Sequence, residues 1–548
     1  MKIDVLFTGG SVFTGSGEPI SGLAVAVEGG RIVACAPQAE LEARADAHTQ
    51  RVDLAGALLV PGFQDAHVHP ILGGVEMLQC DLTATRNAEE AVAAVAAYAE
   101  ANPDEPWILG GGWSMEHFPG GTPTRQLLDA VVPDRPVFLK NRDHHGAWAN
   151  TAAITLASVD ATTPDPADGR IERESDGFPA GTFHEGATDL FDALKPRTSA
   201  ELAYRGLLRA QEMLLSLGIT GWQDAGLGDG AGASPDTYIR AVEEGTLRAH
   251  VTGAQWWERD RGFEQIEDMI ARRDDVRRKG FADRFDLRTV KLMVDGVAEN
   301  FTASMLEPYR DADGHDTCNH GISFLDSETM RTAAIRLDAE DFQMHFHALG
   351  DRAVRDALDA VEAAREANGV RDGRHHLAHL QVIADADTAR FAELGAIANI
   401  QALWAAHEQQ LDELTLPFLQ DGAEARHYPF GEVHERGGRL AAGSDWPVSS
   451  PDPIWAIHVA VNRVHPGQHR PPLGGEQQCL DLATAFAAYT SGSAFVNHRD
   501  HDTGSIREGY LANLAVIEPN PFELAPADIH TAKVVSTWIG GERVYAAG

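Results

Sequence analysis

The segment PGFQDAHVHP, Pro61 to Pro70, places His67 and His69 one residue apart behind a Pro-Gly break. Alternate residues of an extended strand project from one face, so a strand through Phe63 to His69 aims both imidazoles at one point. Two neutral imidazoles converging on a point begin a zinc site, whereas two polar residues in a turn are the plainer reading; further ligands elsewhere in the chain separate the two. HFHALGD offers His345 and His347 on one face, with His345 one pleat deeper and suited to a core or supporting role, and His347 nearer the strand end. HHLAH offers three rings: strand parity turns His376 away from His379, and His375 lies two pleats deeper, which leaves His379. Asp445, in GSDWP, is either an oxygen ligand or a helix N-cap or turn former. Lys291 cannot bind a cation as an ammonium, because it has donors and no acceptor. It is either salt-bridged to Asp295 or Glu299 or, kept neutral by burial and a nearby metal, reacts with carbon dioxide to give a carbamate whose two oxygens bridge a pair of metals.

These residues need elements that bring them together. Eight runs read as strands: 62–69, 219–225, 248–254, 288–295, 342–348, 375–382, 396–402 and 439–445. Ala-rich amphipathic stretches such as NAEEAVAAVAAYAEAN and DRAVRDALDAVEAAREANG lie between short apolar runs, an alternation that argues for parallel βα units. Eight such strands close a (β/α)8 barrel, whose active sites are built at the C-terminal strand ends. The expected fold class is therefore α/β, a TIM-type barrel over residues 61–490, with five of its strands carrying metal-type residues. The gap after the first strand, roughly residues 71–205, is too long for one crossover and reads as an insertion, a loop-rich cap by its Gly, aromatic and His content. Residues 1–60 and 491–548 carry short strands with Gly-Gly turns, and the two ends together can form one small composite β-sandwich.

Composition bounds the partners. The chain has 548 residues, 43% apolar and 23% charged, as expected of a globular protein. A formal net charge of -37 argues against nucleic acid and anionic membranes, both polyanions. The four cysteines, Cys35, Cys80, Cys318 and Cys479, form no C-x-x-C pair and suit a reducing compartment. The N-terminal apolar run is too short for a signal peptide, and no stretch approaches the ~20 apolar residues of a membrane helix, so a cytoplasmic location is expected. The partner expected is a small-molecule substrate. The oligomeric state is open, a homodimer being the commonest arrangement.

Taken together, PGFQDAHVHP, VKLMVDG, HFHALGDRAV, HHLAHLQV and AAGSDWPV, in that order, resemble the amidohydrolase superfamily, and within it the family 3 branch that includes N-substituted formamide deformylases. Weaker echoes, among them ILGGGWSMEHFPGGTPTRQLLDAVVPDRPVFLKNRDHHGAWAN and GSIREGYLANLAVIEPNP, extend the resemblance over nearly the whole chain. The resemblance implies a distorted barrel inserted into a small β-sandwich. It also implies one or two divalent metal ions, zinc by ligand type, held by His67, His69, an N6-carboxylated Lys291, His347, His379 and Asp445. Asp445 would double as proton shuttle while a metal-bound hydroxide attacks an amide, formamide or cyclic amide. One departure is local: where the family often has Gly-His-Ser, this chain has His144, His145 and Gly146, so that His145 occupies the family position and His144 is an added imidazole. Trp113, His144 and His145 are the expected substrate contacts. Ester, carbamate or lactone hydrolysis, a metal-dependent lyase reaction such as decarboxylation, and ligand binding without catalysis are the competing readings of the same barrel.

Overall fold

The computed structural model describes residues 2–228 and 232–547. At its centre is an eight-stranded parallel sheet: β1 (Phe63–Val68), β2 (Ile219–Leu227), β3 (His250–Trp256), β4 (Phe285–Met293), β5 (Gln343–Ala348), β6 (His376–His379), β7 (Ile397–Ile400) and β8 (Arg439–Ala442), each paired with the next in sequence. Just beyond β8 the chain returns to β1: the Asp445 N–H donates to the His67 carbonyl at 2.7 Å, and the His69 N–H to that of Trp446 at 2.9 Å. All eight expected strands occur, but β6 and β8 end earlier than read from sequence. His379 and Leu380 (φ 77° and 55°) and Asp445 (φ 55°) adopt left-handed backbone, which ends an extended strand.

Alternation along the strands separates two faces. On β4, Val290 and Leu292 join the apolar layer beneath the outer helices, while Thr289 and Lys291 turn into the barrel. On β5, Met344 and Phe346 face outward, whereas Gln343, His345 and His347 point in. The outer helices include Ala200–Ser216, capped by the Ser199 hydroxyl, and Ser327–Ala339, capped by Asp326.

The segment between β1 and β2 is more regular than its composition suggests. It contains a six-stranded mixed sheet, in the order Gly169–Arg173, Pro179–Glu185, Gly146–Ala149, Val137–Asn141, Ile108–Trp113 and Cys80–Asp81, with a core of its own around Ile108, Trp113, Leu139 and Trp148. The expectation of a loop-rich cap is corrected: several of its glycines, among them Gly110, Gly111, Gly146, Gly169 and Gly181, lie within strands. At the chain ends, a four-stranded sheet from residues 5–53 faces a six-stranded sheet that pairs Leu58–Pro61 with Leu514–Glu518, and Phe7, Val27, Leu59, Val516 and Trp538 share one core between them. Among the described residues, no helix is long and apolar enough to cross a membrane.

Candidate metal centre

His67 and His69 leave the C-terminal end of β1 with their Nε2 atoms each 3.2 Å from Asp445 Oδ1. One ligand atom from each of the three residues lies within 4.8 Å of the others, a spacing that a single ion can bridge. His379 closes in from β6, its ring 4.8 Å from His67 and its Nδ1 3.9 Å from Asp445 Oδ2. His347, from β5, lies 4.4 Å from His379, ring centre to ring centre. Lys291 reaches up from β4 to place Nζ 3.4 Å from His67 Nε2. All six metal-type residues expected from the sequence thus converge at one end of the barrel.

The polar accounting at this site is incomplete without a cation. His379 is 2% exposed and neither ring nitrogen makes a hydrogen bond; His347 is 5% exposed and its Nε2 makes none. Buried nitrogens without partners are costly, and here several point into one cluster of neutral donors, as a divalent metal requires. Burial holds His67 neutral, with its pKa pushed down to about 3, and drives those of His347 and His379 well below the usual imidazole range. Burial lowers Lys291 to about 7, against the pull of Asp445, which supplies the neutral amine that carboxylation needs.

The salt-bridge reading of Lys291 fails because its proposed partners are engaged elsewhere. Asp295 accepts backbone N–H groups from Ser304, Leu349 and Gly350 at 2.8, 3.0 and 2.9 Å, and Glu299 accepts the Thr415 hydroxyl at 2.8 Å. Strand parity at β6 also needs correction. His376 does not turn away: its ring enters the barrel and reaches Gln223 and Asn399, whereas His375 turns outward to Asp338 on the helix Ser327–Ala339. His379 lies inside despite its odd spacing from His376 because its left-handed backbone rotates the side chain back.

Asp65 ties the two ends of the sheet together beneath the site. It accepts the Ser444 hydroxyl at 2.6 Å and the N–H groups of Ser444 and His67, so β1 and the residue before Asp445 share one carboxylate. Gly443 makes this approach feasible, since a Cβ there would lie 2.6 Å from the His67 nitrogen.

The substrate contacts expected from the insertion divide. His145 comes to the site: its ring lies 5.3 Å from that of His347, and Nδ1 is 2.8 Å from Glu185 Oε2. Burial opposes its charge, but the Glu185 carboxylate raises the pKa to about 9, so His145 is an imidazolium. Thr302 donates to the other Glu185 oxygen at 2.7 Å. His144, with positive φ, places Nε2 3.4 Å from Glu76 Oε1. Trp113 is a correction: 1% exposed, it packs against Phe118 and Trp148, and its indole N–H donates to the Leu139 carbonyl, so the ring has no face left for a substrate. Two contributors escaped the sequence reading. Glu185 stands in the conspicuous run FPAGTFHEGA, but its partner is 40 residues away, and Trp404, stacked on His379 at 5.4 Å, comes from the segment after β7 with no motif to mark it.

A family model for amidohydrolases matches residues 50–545. The chain belongs to the amidohydrolase family. It is 29% identical over 547 residues to Protein LONG AFTER FAR-RED 3 of Arabidopsis thaliana, covering 99% of this chain and 91% of that one. It is 27% identical over 544 residues to the N-substituted formamide deformylase of Arthrobacter pascens, covering 94% of each. Among solved structures, an uncharacterized metal-dependent hydrolase from Pyrococcus horikoshii OT3 superposes with a TM-score of 0.71 at 22% identity, over 95% of this chain and 99% of that one. That similarity supports the barrel architecture.

Proposed function

We propose that this protein is a metal-dependent hydrolase that cleaves a carbon–nitrogen bond in a small amide, formamide or cyclic amide. The observation that carries the reading is the convergence of His67, His69 and Asp445 with the unpartnered nitrogens of His347 and His379. These residues, with Lys291 as an N6-carboxylysine, would hold one or two divalent ions, zinc by ligand type. An ion bound there makes water acidic enough to supply a nucleophile near neutral pH and polarises a carbonyl. Asp445, a carboxylate at the ligand cluster, accepts the proton released by the attacking water and passes it to the departing nitrogen. His145, charged through Glu185 and beside His347, donates from its free ring nitrogen to an oxygen of the substrate. The relationship to a formamide deformylase favours N-formyl compounds as the first substrates to test.

The test is amine and acid release from a panel of N-formyl, N-acyl and cyclic amides with matched esters, with and without a chelator. Amine release that chelation stops and added zinc or manganese restores is the expected result. Cleavage of the esters alone would overturn the carbon–nitrogen assignment, and release without incorporation of oxygen from labelled water would overturn hydrolysis.

A further inference from the structure

Beneath the ligand histidines lies a buried chain of uncharged polar side chains whose hydrogen bonds can be assigned one at a time. Gln343 fixes the starting point. Its amide nitrogen donates to the carbonyls of Arg374 and Val496 at 2.8 and 2.9 Å, so its oxygen must face the Thr289 hydroxyl at 2.7 Å and the Gln223 amide nitrogen at 3.2 Å. The opposite orientation would set an amide oxygen against two carbonyl oxygens. With its nitrogen committed to Gln343, Gln223 turns Oε1 toward His345 Nδ1 at 2.7 Å and His376 Nε2 at 3.1 Å. An amide oxygen only accepts, so both ring nitrogens carry protons.

A neutral His345 protonated on Nδ1 has its lone pair on Nε2, and that atom is 2.9 Å from His67 Nδ1. His67 Nδ1 must therefore donate. The remaining nitrogen of His67, Nε2, is left unprotonated, and it is the atom that faces Asp445 and Lys291. The side branch closes consistently: His376 Nδ1 accepts from the Asn399 amide nitrogen at 3.0 Å, and that nitrogen also donates to the Ala66 carbonyl at 2.8 Å. Gln223, His345, His376 and Asn399 are fully buried and Gln343 is 1% exposed, so no solvent competes for these bonds.

We infer that Gln343, Gln223 and His345 are positioning residues that fix the proton of His67 on Nδ1 and thereby present Nε2 as a ready ligand for a divalent cation. The neighbour that a metal-binding histidine donates to is normally a carboxylate or a carbonyl; here it is a second imidazole, whose own tautomer is dictated by a glutamine three strands away on β2. The inference rests on the metal-centre reading above but not on the reaction proposed there.

Neutron diffraction from deuterium-exchanged crystals of the full-length protein reads the protons directly. Deuterons on His67 Nδ1, His345 Nδ1 and His376 Nε2, with none on His345 Nε2, are expected; a deuteron on His345 Nε2 would overturn the assignment. Chelator competition on the zinc-loaded protein provides the functional arm. Gln223→Met, similar in volume but unable to accept, should weaken zinc binding by about 10- to 100-fold while the circular dichroism stays native. Unchanged zinc affinity in a folded Gln223→Met protein would refute the positioning role, and if that variant does not fold, the neutron result decides alone. The stated deuterons and a lost zinc affinity in a protein that cleaves no amide would keep the inference and discard the carbon–nitrogen assignment.

Discussion

Below the ligand atoms, His345, His376, Gln223, Gln343 and Asn399 fill the barrel with neutral groups; the insertion instead sets histidines and an arginine beside carboxylates. His145 lies 2.8 Å from Glu185, His184 3.1 Å from Glu172, His144 3.4 Å from Glu76 and Arg142 3.9 Å from Glu116. Isolated charges in a dry interior are costly, whereas neutral hydrogen bonds there are strong and directional. The barrel floor therefore relies on uncharged hydrogen bonds to orient the ligands, and the insertion brings to them a histidine, His145, held charged by Glu185. The difference separates two jobs that one sequence must do: holding the ligand geometry and meeting the substrate.

Breaking the boundary between the two regions should have the largest effect. Asp445→Asn removes the proton acceptor while keeping the shape, and kcat should fall by about 10²- to 10⁴-fold with the fold retained by circular dichroism. A variant with native kcat would exclude Asp445 from proton transfer. Damage to the floor should appear first as stability: Gln343→Leu strands the Thr289 hydroxyl, the Gln223 amide and two backbone carbonyls, and should cost about 2–4 kcal/mol in urea unfolding. Damage at Glu185 should be read in turnover. Glu185→Gln removes the carboxylate that keeps His145 charged, and kcat/KM is expected to drop about 10- to 100-fold at unchanged metal content, measured by steady-state kinetics with metal analysis.

The smallest effect concerns acid. The hydrogen bond from His184 and the charge of Arg170 lower Glu172 to about 2 against burial, so its folded pKa lies below the unfolded value. A depressed carboxylate contributes stability that is fully present above the unfolded pKa of about 4.5 and is lost as pH falls toward about 2. Glu172→Gln should flatten the acid limb of the melting temperature between those values and leave it unchanged at neutral pH relative to its own plateau. An identical acid limb in the variant would show that this pair does not contribute.

Much of the site was legible in the chain because strand geometry is local. His67 and His69 share a face by period two, His345 and His347 do likewise on β5, and the eight strand runs follow from alternation between short apolar and amphipathic segments. The insertion was misread because its glycines suggested loops, although several occupy strand positions such as Gly110 and Gly146 where a neighbouring backbone pairs closely. Trp113 was misread because an aromatic beside a glycine run has the same appearance in a core as in a pocket.

The sequence by itself determined the residue types and their order: HxH, lysine, two histidines and an aspartate at the ends of barrel strands, which is enough to specify ligand chemistry. Tertiary structure decided which way each ring turns and where each proton sits. His376 and His379 both face the barrel interior, against their odd spacing, because the chain turns left-handed at His379, a backbone state that no alternation pattern encodes. The tautomer of His67 depends on Gln343, 276 positions away in sequence, because a hydrogen bond has a donor and an acceptor only when both partners are in place.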